Sequence, residues 1–160
     1  MLKRISALFL SLFAFAVYAQ QKPLQIHFMD VGQGDGAILI SPGGEIVAFD
    51  LGEDLVHLGC TKPLSYLEQL GITHIDYLFI SHYHQDHLGC VSDVLAQYPL
   101  KKASFDRGLS YASPHLTYFN AYKQAVGSLR TAGTAGQHIV LDAASASPVD
   151  IEIIALNGNG

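Results

Sequence analysis

The sequence predicts a mixed α/β fold, in which a single sheet carries helices over one face. Two observations predict it: short β-branched and aromatic runs come first, and strands then alternate with helices. Glycine or proline stands at most of the junctions between these runs. Residues 20–160, which follow a predicted leader, are enough for one domain, and they contain no internal repeat.

The strand-rich part comes first. Leu24–Met29 alternates weakly between apolar and polar residues, and Ala37–Ile40 and Glu45–Phe49 are predicted as the second and third strands. Pro42-Gly43-Gly44 predicts a hairpin turn between the last two, since glycine readily adopts positive φ.

Helices and strands alternate from residue 62 onward, and glycine or proline marks most helix ends. The expected elements are a helix at Lys62–Leu70, a strand at Ile75–Ile80, a helix at His87–Gln97, a strand at Ala103–Phe105, a helix at His115–Thr131 and a closing hairpin of His138–Leu141 with Val149–Leu156. A sheet of this kind needs its other face covered, and no second layer is evident in the sequence. Part of the fold is therefore expected to be missing.

The strongest functional signal is the six-residue segment His82-Tyr83-His84-Gln85-Asp86-His87, just past the predicted strand Ile75–Ile80. Extended backbone points alternate side chains the same way, so His82 and His84 can converge on one metal. Asp86 and His87 follow at the turn into the next helix and face a neighbouring site. A polar loop that merely contains histidines is the alternative, but chance gives this pattern in roughly one chain in a thousand.

Imidazole with carboxylate ligands suits zinc, with iron or manganese as further options. Two such metals side by side lower the pKa of bound water and clamp the attacking and leaving oxygens of a substrate. The segment therefore predicts a metal-dependent hydrolase with two divalent metals.

Two acidic residues outside this segment are candidates for supporting roles. Asp50 ends a strand expected to lie beside Ile75–Ile80, where it can orient the histidines, although it could simply cap a turn. The glycine-rich loop 32–36 lacks the Lys-Ser/Thr of a P-loop and joins two strands, so we expect a tight connection that points Asp35 toward the site. Among the remaining histidines, all weaker candidates, His57 and His115 rank first.

The N-terminus predicts a signal peptide over residues 1–19. Lys3 and Arg4 precede the apolar run Ile5–Val17, which is too short to span a bilayer comfortably, and a cleavage signal ends at Ala19. A periplasmic or secreted protein with no stable membrane partner is expected, the alternative being an uncleaved anchor. Without the leader the net charge changes from −5 to −7, which disfavours long nucleic acid as a partner.

Cys60 and Cys90 would lie in a compartment that permits disulfides. If paired, they would close a loop of about thirty residues and stabilise the fold by roughly 3–4 kcal/mol. Two free buried thiols are the alternative.

The order of these motifs resembles the metallo-β-lactamase superfamily. The resemblance is strong over about Leu24–Cys90 and loose elsewhere. Within the superfamily the chain is similar to the hydrolase domain of ComEC-type competence proteins, because of its Asp-Val-Gly-Gln-Gly-Asp string. The matching segments are Phe28–Leu39, Phe49–Gly52, Gly71–Leu78 and Ser81–Gly89.

The resemblance implies an αββα sandwich with the active site at one edge. It assigns His82 and His84 to the first metal, and Asp86 and His87 to the second. It also gives Asp86 the catalytic role of positioning metal-bound water. Asp50 matches the supporting carboxylate of the superfamily, and Asp35 matches a subgroup position close to the site.

The superfamily takes further ligands from its second half, including a bridging carboxylate and a late histidine, and no match for them is found here. Residues 20–160 are therefore expected to form the N-terminal half of a hydrolase domain. The resemblance favours a phosphodiester or another small ester or amide as substrate. The alternatives are a non-catalytic metal-binding remnant or interaction module, and a β-lactamase, which the Asp-Val-Gly-Gln-Gly-Asp string disfavours.

Overall fold

The computed structural model describes residues 22–53, 60–108 and 116–155. The predicted signal peptide lies outside the described residues, and so do His57 and His115. Within the described ranges, no helix combines the length and the apolar character needed to cross a membrane.

A six-stranded mixed sheet forms the framework of the fold, and its strands lie side by side in chain order. The first three strands pair antiparallel, and the third to sixth pair parallel. The carboxyl ends of the parallel strands therefore meet at one edge, which we name the carboxyl edge; the opposite edge is the amino edge. The strands are β1 (Gln25–Phe28), β2 (Gly36–Ile40), β3 (Ile46–Leu51), β4 (Ile75–Phe79), β5 (Leu100–Asp106) and β6 (Arg130–Ala132).

The predicted helical layer covers one face of this sheet. Its helices are α1 (Thr61–Gln69), α2 (Gln85–Leu88), α3 (Val91–Gln97) and α4 (Leu116–Val126). Leu67, Val94 and Tyr122 from this layer are fully buried against Ile38 and Leu78 of the sheet. Apolar burial of this kind is the main stabilising contribution to such a layer.

The other face is covered in part by the hairpin β7 (Gln137–Leu141) and β8 (Val149–Ile153). Ile139 and Leu141 of this hairpin pack against Val47 and Phe105 of the sheet. The expectation that the sequence contains no second layer was therefore wrong, because alternate apolar residues of the hairpin form one. Coverage is incomplete, since Phe28 on β1 remains 85% exposed.

Two predicted helices differ from the structure. The helix predicted at His87–Gln97 is two helices, α2 and α3, which are separated at Gly89 and Cys90. The helix predicted at His115–Thr131 ends at Val126, because Gly127 adopts a φ of +53°, a conformation outside the right-handed helix. A 3₁₀ turn, Gly127–Leu129, then leads into β6.

Candidate metal centre

The six-residue segment after β4 lies at the carboxyl edge of the sheet. His84 has extended backbone, with φ −74° and ψ 156°, and helix α2 begins directly after it. His82 and His84 consequently face the same way, and their ring centroids are 4.7 Å apart. Asp86 and His87 lie on the first turn of α2, which brings them back toward the histidine pair.

His82, His84 and Asp86 form the first group of potential metal ligands. Each offers one ligand atom, and the three atoms lie within 4.8 Å of one another. Two imidazoles and one carboxylate match the donor types that zinc takes in proteins. The structure thus brings Asp86 to the histidine pair, and it also places Asp86 beside His87, with which the resemblance groups it.

His87 belongs to a second group, with Asp35 and Asp50. Its Nδ1 lies 2.9 Å from Oδ2 of Asp50 and 3.9 Å from Oδ2 of Asp35. Its Nε2 faces the first group, at 3.8 Å from Oδ2 of Asp86. If Nδ1 carries the proton and donates a hydrogen bond to Asp50, the lone pair of Nε2 is directed toward Asp86. Metal-binding histidines are often oriented by a carboxylate in this way.

Asp50 is surrounded by hydrogen-bond donors. Its Oδ1 accepts from the Ser81 backbone N–H at 2.9 Å, and its Oδ2 accepts from the Ser81 hydroxyl at 2.5 Å as well as facing His87. Asp50 is 5% exposed and has a φ of +43°, a strained conformation for a residue other than glycine. Because protein donors occupy both oxygens, Asp50 fits an orienting role better than that of a direct ligand.

Ser81 was missed as a candidate from the sequence alone. Its hydroxyl oxygen lies 3.1 Å from Nδ1 of His82 and 3.3 Å from Nδ1 of His87. The signal available in the sequence was its position between the strand end and His82.

The glycine-rich loop between β1 and β2 packs on α2. Gly34 has a φ of +91°, and a Cβ atom there would lie 1.7 Å from the backbone oxygen of Asp86. The approach is so close that no side chain fits. This packing places the exposed Asp35 beside His87.

Cys60 and Cys90 are joined by a disulfide, with their Cα atoms 5.5 Å apart. The bridge links the start of α1 to the junction of α2 and α3, three residues after His87. The Cys90 N–H also donates to the Gly52 carbonyl at 3.2 Å. The bridge thus anchors the chain just after the C-terminal end of the helix that carries Asp86 and His87.

The histidines lie close enough together to influence one another. Burial of the ring, together with the charges of His87 and His84, holds the pKa of His82 below its ordinary value of 6.5. The ring of His82 is therefore neutral near pH 7, and neutral imidazole is the form that binds a metal.

A buried polar network that the sequence did not reveal lies beneath the segment. Asp106, 1% exposed at the end of β5, accepts hydrogen bonds from the hydroxyls of Tyr83 and Tyr122, at 2.9 and 2.7 Å, and from Nε of Arg130 at 2.6 Å. Burial raises the pKa of Asp106, but these hydrogen bonds, that of Arg130 above all, outweigh it and hold the pKa below its ordinary value. Burial and the bond to Asp106 raise the pKa of Tyr83 to about 12.

Comparisons with known proteins agree with this architecture. The profile of the metallo-beta-lactamase superfamily matches residues 23–157. Among solved structures, a subclass B3 metallo-beta-lactamase from a soil metagenome library, MEM-A1, superposes over 74% of this chain with a TM-score of 0.50 and 15% identity. A motif mutant of the Cronobacter sakazakii metallo-beta-lactamase superposes over 74% of this chain with a TM-score of 0.50 and 18% identity.

At these identities the likeness of the structures shows the fold alone. The chain covers 46% and 51% of the lengths of these two proteins, so it spans about half of each. Comparison with curated proteins found no match.

Proposed function

This chain belongs to the metallo-beta-lactamase superfamily, and on that premise we propose that it is part of a hydrolase that uses two divalent cations. The observation that supports the proposal is the convergence of His82, His84 and Asp86 at the carboxyl edge, with His87 directly beside them. Zinc suits this donor set best, and iron or manganese are the other candidates.

The residues have distinct roles in this proposal. His82 and His84 hold one cation, His87 contributes Nε2 to the second, and Asp86 lies close enough to both groups to serve either. Asp50 keeps the proton of His87 on Nδ1, and Asp35 adds negative charge at the rim of the site. When bound, the cations would supply an activated water at neutral pH and stabilise negative charge that develops on the substrate.

The proposed substrate is a phosphodiester or a related small ester or amide. We propose that the chain is close to the ComEC-type subgroup, because its Asp-Val-Gly-Gln-Gly-Asp string at residues 30–35 resembles the one found there. A net charge of −5 argues against long nucleic acid as the substrate, since binding to its backbone depends on Lys and Arg.

We further propose that the complete site takes additional ligands from a second half of the domain. Two facts support this. The chain spans about half the length of its structural neighbours, and the part of the chain that the structure describes leaves Phe28 on β1 85% exposed. Full activity is then a property of a protein that carries those ligands. A periplasmic or secreted location is also proposed, which the Cys60–Cys90 disulfide supports.

The cation proposal is tested by measuring zinc in the purified protein by elemental analysis. We expect the wild type to retain zinc and the double variant His82→Ala/His84→Ala to retain none. His74→Ala is the matched control, because His74 pairs with Asp76 at the opposite edge of the sheet, and it should retain as much zinc as the wild type. Equal zinc content in the double variant and the wild type would refute the assignment.

The substrate class is tested with bis-p-nitrophenyl phosphate, a thioester and a chromogenic cephalosporin, in the presence of added zinc. Hydrolysis of the phosphodiester supports the proposal. Hydrolysis of the cephalosporin alone points to a β-lactamase, the activity named for the two structural neighbours. Bound zinc with none of the three hydrolysed supports a non-catalytic metal-binding module.

A further inference from the structure

Tyr83 lies between His82 and His84 but points in the opposite direction. Alternate side chains of an extended segment face opposite sides, so the two histidines face the edge while Tyr83 enters the core. Tyr83 is 1% exposed, and its ring packs on Phe119 of α4 with centroids 4.4 Å apart. Because the ring is attached to the backbone between the two histidines, its packing in the core restrains the position of both.

The hydroxyl of Tyr83 is held by a buried ion pair. It donates to Oδ1 of Asp106 at 2.9 Å and accepts from Nη2 of Arg130 at 3.0 Å. Arg130 also binds both oxygens of Asp106, which pairs the buried negative charge within the protein. Asp106 ends β5 and Arg130 begins β6, so both belong to the rigid sheet.

We propose that Asp106 and Arg130 are positioning residues for the candidate metal ligands His82 and His84, and that they act through the Tyr83 hydroxyl. The inference rests on the proposed function, because it takes His82 and His84 to bind a cation. Neither residue is a ligand. Their effect is to fix the segment 82–84 from the core side, while Asp50 and Ser81 fix it from the edge.

The chain offers a matched pair of variants. Tyr83→Phe removes one hydroxyl from Asp106 and leaves the ring on Phe119. Tyr122→Phe removes a hydroxyl from the same carboxylate, at 2.7 Å, but Tyr122 belongs to α4 and lies outside the metal-binding segment. Both tyrosines are buried, and each hydroxyl has a further partner, which is Nη2 of Arg130 for Tyr83 and the Ser104 hydroxyl for Tyr122. Each variant therefore removes these two hydrogen bonds of a buried tyrosine, and a loss of zinc affinity confined to Tyr83→Phe separates positioning of the segment from a general loss of stability.

The first measurement is zinc affinity by competition with a chromogenic chelator. We expect Tyr83→Phe to bind zinc about tenfold more weakly or worse, and to shift the visible absorption bands of the cobalt-substituted protein. Tyr122→Phe should bind zinc as the wild type does, although we expect both variants to melt at a lower temperature than the wild type. Adding Asp106→Asn to Tyr83→Phe should cause little further loss of affinity, because the two residues act through one hydrogen bond.

The second measurement needs no metal. Hydrogen exchange of the backbone amides of residues 81–88 in metal-free protein should be faster in Tyr83→Phe than in the wild type, and unchanged in Tyr122→Phe. The proposal is overturned if both variants show equal affinity and equal exchange in this segment. If the wild type binds no zinc, the proposed function fails, and the exchange data alone then decide whether the network positions the segment.

Discussion

The two edges of the sheet each carry a buried aspartate beside a histidine. At the carboxyl edge, Asp50 is 5% exposed and lies 2.9 Å from Nδ1 of His87. At the amino edge, Asp76 is 6% exposed and lies 3.4 Å from Nε2 of His74. Similar residue types and similar burial thus occur at both edges, yet among the described residues only the carboxyl edge forms a candidate metal centre.

The amino edge pairs its charges within the protein. Asp76 accepts a hydrogen bond from the Ile46 N–H at 2.8 Å, and Lys102 forms an ion pair with Glu45 while lying 3.8 Å from Asp76. Burial lowers the pKa of Lys102, but its hydrogen bond to Glu45 and the neighbouring charges hold the pKa above its ordinary value. This edge has a lysine where the carboxyl edge has two further imidazoles, those of His82 and His84.

At the carboxyl edge, the ion pairs that Asp35, Asp50 and Asp86 form with other described residues are all with His87. Asp35, Asp50 and Asp86 adjoin three imidazoles, and Asp50 holds a strained backbone conformation there. The two buried aspartates thus differ in their neighbours, which are a lysine and a backbone N–H at the amino edge and a group of candidate metal ligands at the carboxyl edge.

The largest expected effect comes from Gly34→Ala at the carboxyl edge. Its Cβ would lie 1.7 Å from the Asp86 backbone oxygen, so the loop and α2 must separate. We expect zinc affinity to fall about 100-fold or more, at or beyond the upper end of the range for residues that orient a metal ligand. Stability should fall by about 1–3 kcal/mol from overpacking in addition to backbone strain. Chelator competition and denaturant unfolding measure these two quantities.

The control for that variant is Gly44→Ala in the turn at the amino edge. Gly44 has a similar φ, +97°, but its added Cβ would meet nothing within 4 Å. Only the backbone strain remains, about 1–2 kcal/mol, and zinc affinity should not change. A Gly34→Ala protein with unaltered zinc affinity would contradict the packing between the glycine loop and the metal-binding segment.

An intermediate effect is expected from Asp50→Asn, which removes the charge that orients His87. Zinc affinity should fall by about 10–100-fold, the usual range for a residue that orients a metal ligand. Asp76→Asn should lower the melting temperature without changing zinc affinity, because its partners lie at the opposite edge. Equal losses of zinc affinity in both variants, measured by the same competition assay, would contradict the conclusion that only the carboxyl-edge aspartate supports zinc binding.

The smallest effect is expected from Lys102→Met. Lys102 is partly exposed, so its pairing with Glu45 is screened by solvent and should contribute about 0.2–1 kcal/mol to stability. Urea unfolding at low and high salt measures this contribution, which should shrink as the salt concentration rises. Zinc affinity should stay at the wild-type value. A loss of zinc binding would show that the charge of Lys102 at the amino edge affects the metal centre.

Much of the framework could be predicted from the sequence, because each strand is a short local pattern. The runs at Ile75–Ile80 and Glu45–Phe49 predicted β4 and β3 to within two residues at either end. The last helix was predicted too long, since its apolar spacing continues through Gly127, where the backbone leaves the helix. The hairpin strands were predicted, but not that they cover the sheet.

The candidate site, too, could be predicted from the sequence only in part. His82, His84, Asp86 and His87 are adjacent in the chain, so a local pattern was sufficient to single them out. Asp106 and Arg130 carry no local signal, because they meet Tyr83 only through the pairing of β5 with β6 and the packing of α4.

The sequence by itself determined which side chains can bind a cation and that they follow a strand, because ligand chemistry and strand periodicity are properties of neighbouring residues. Only the tertiary structure decided that Asp86 joins the histidine pair, that His87 turns Nδ1 toward Asp50, and that Tyr83 is anchored to a buried ion pair. Asp86 is a near neighbour of the histidines in the chain, but the other two arrangements depend on contacts between residues separated by 23 to 47 positions. Contacts of this range exist only once the strands have paired and the helices have packed on them.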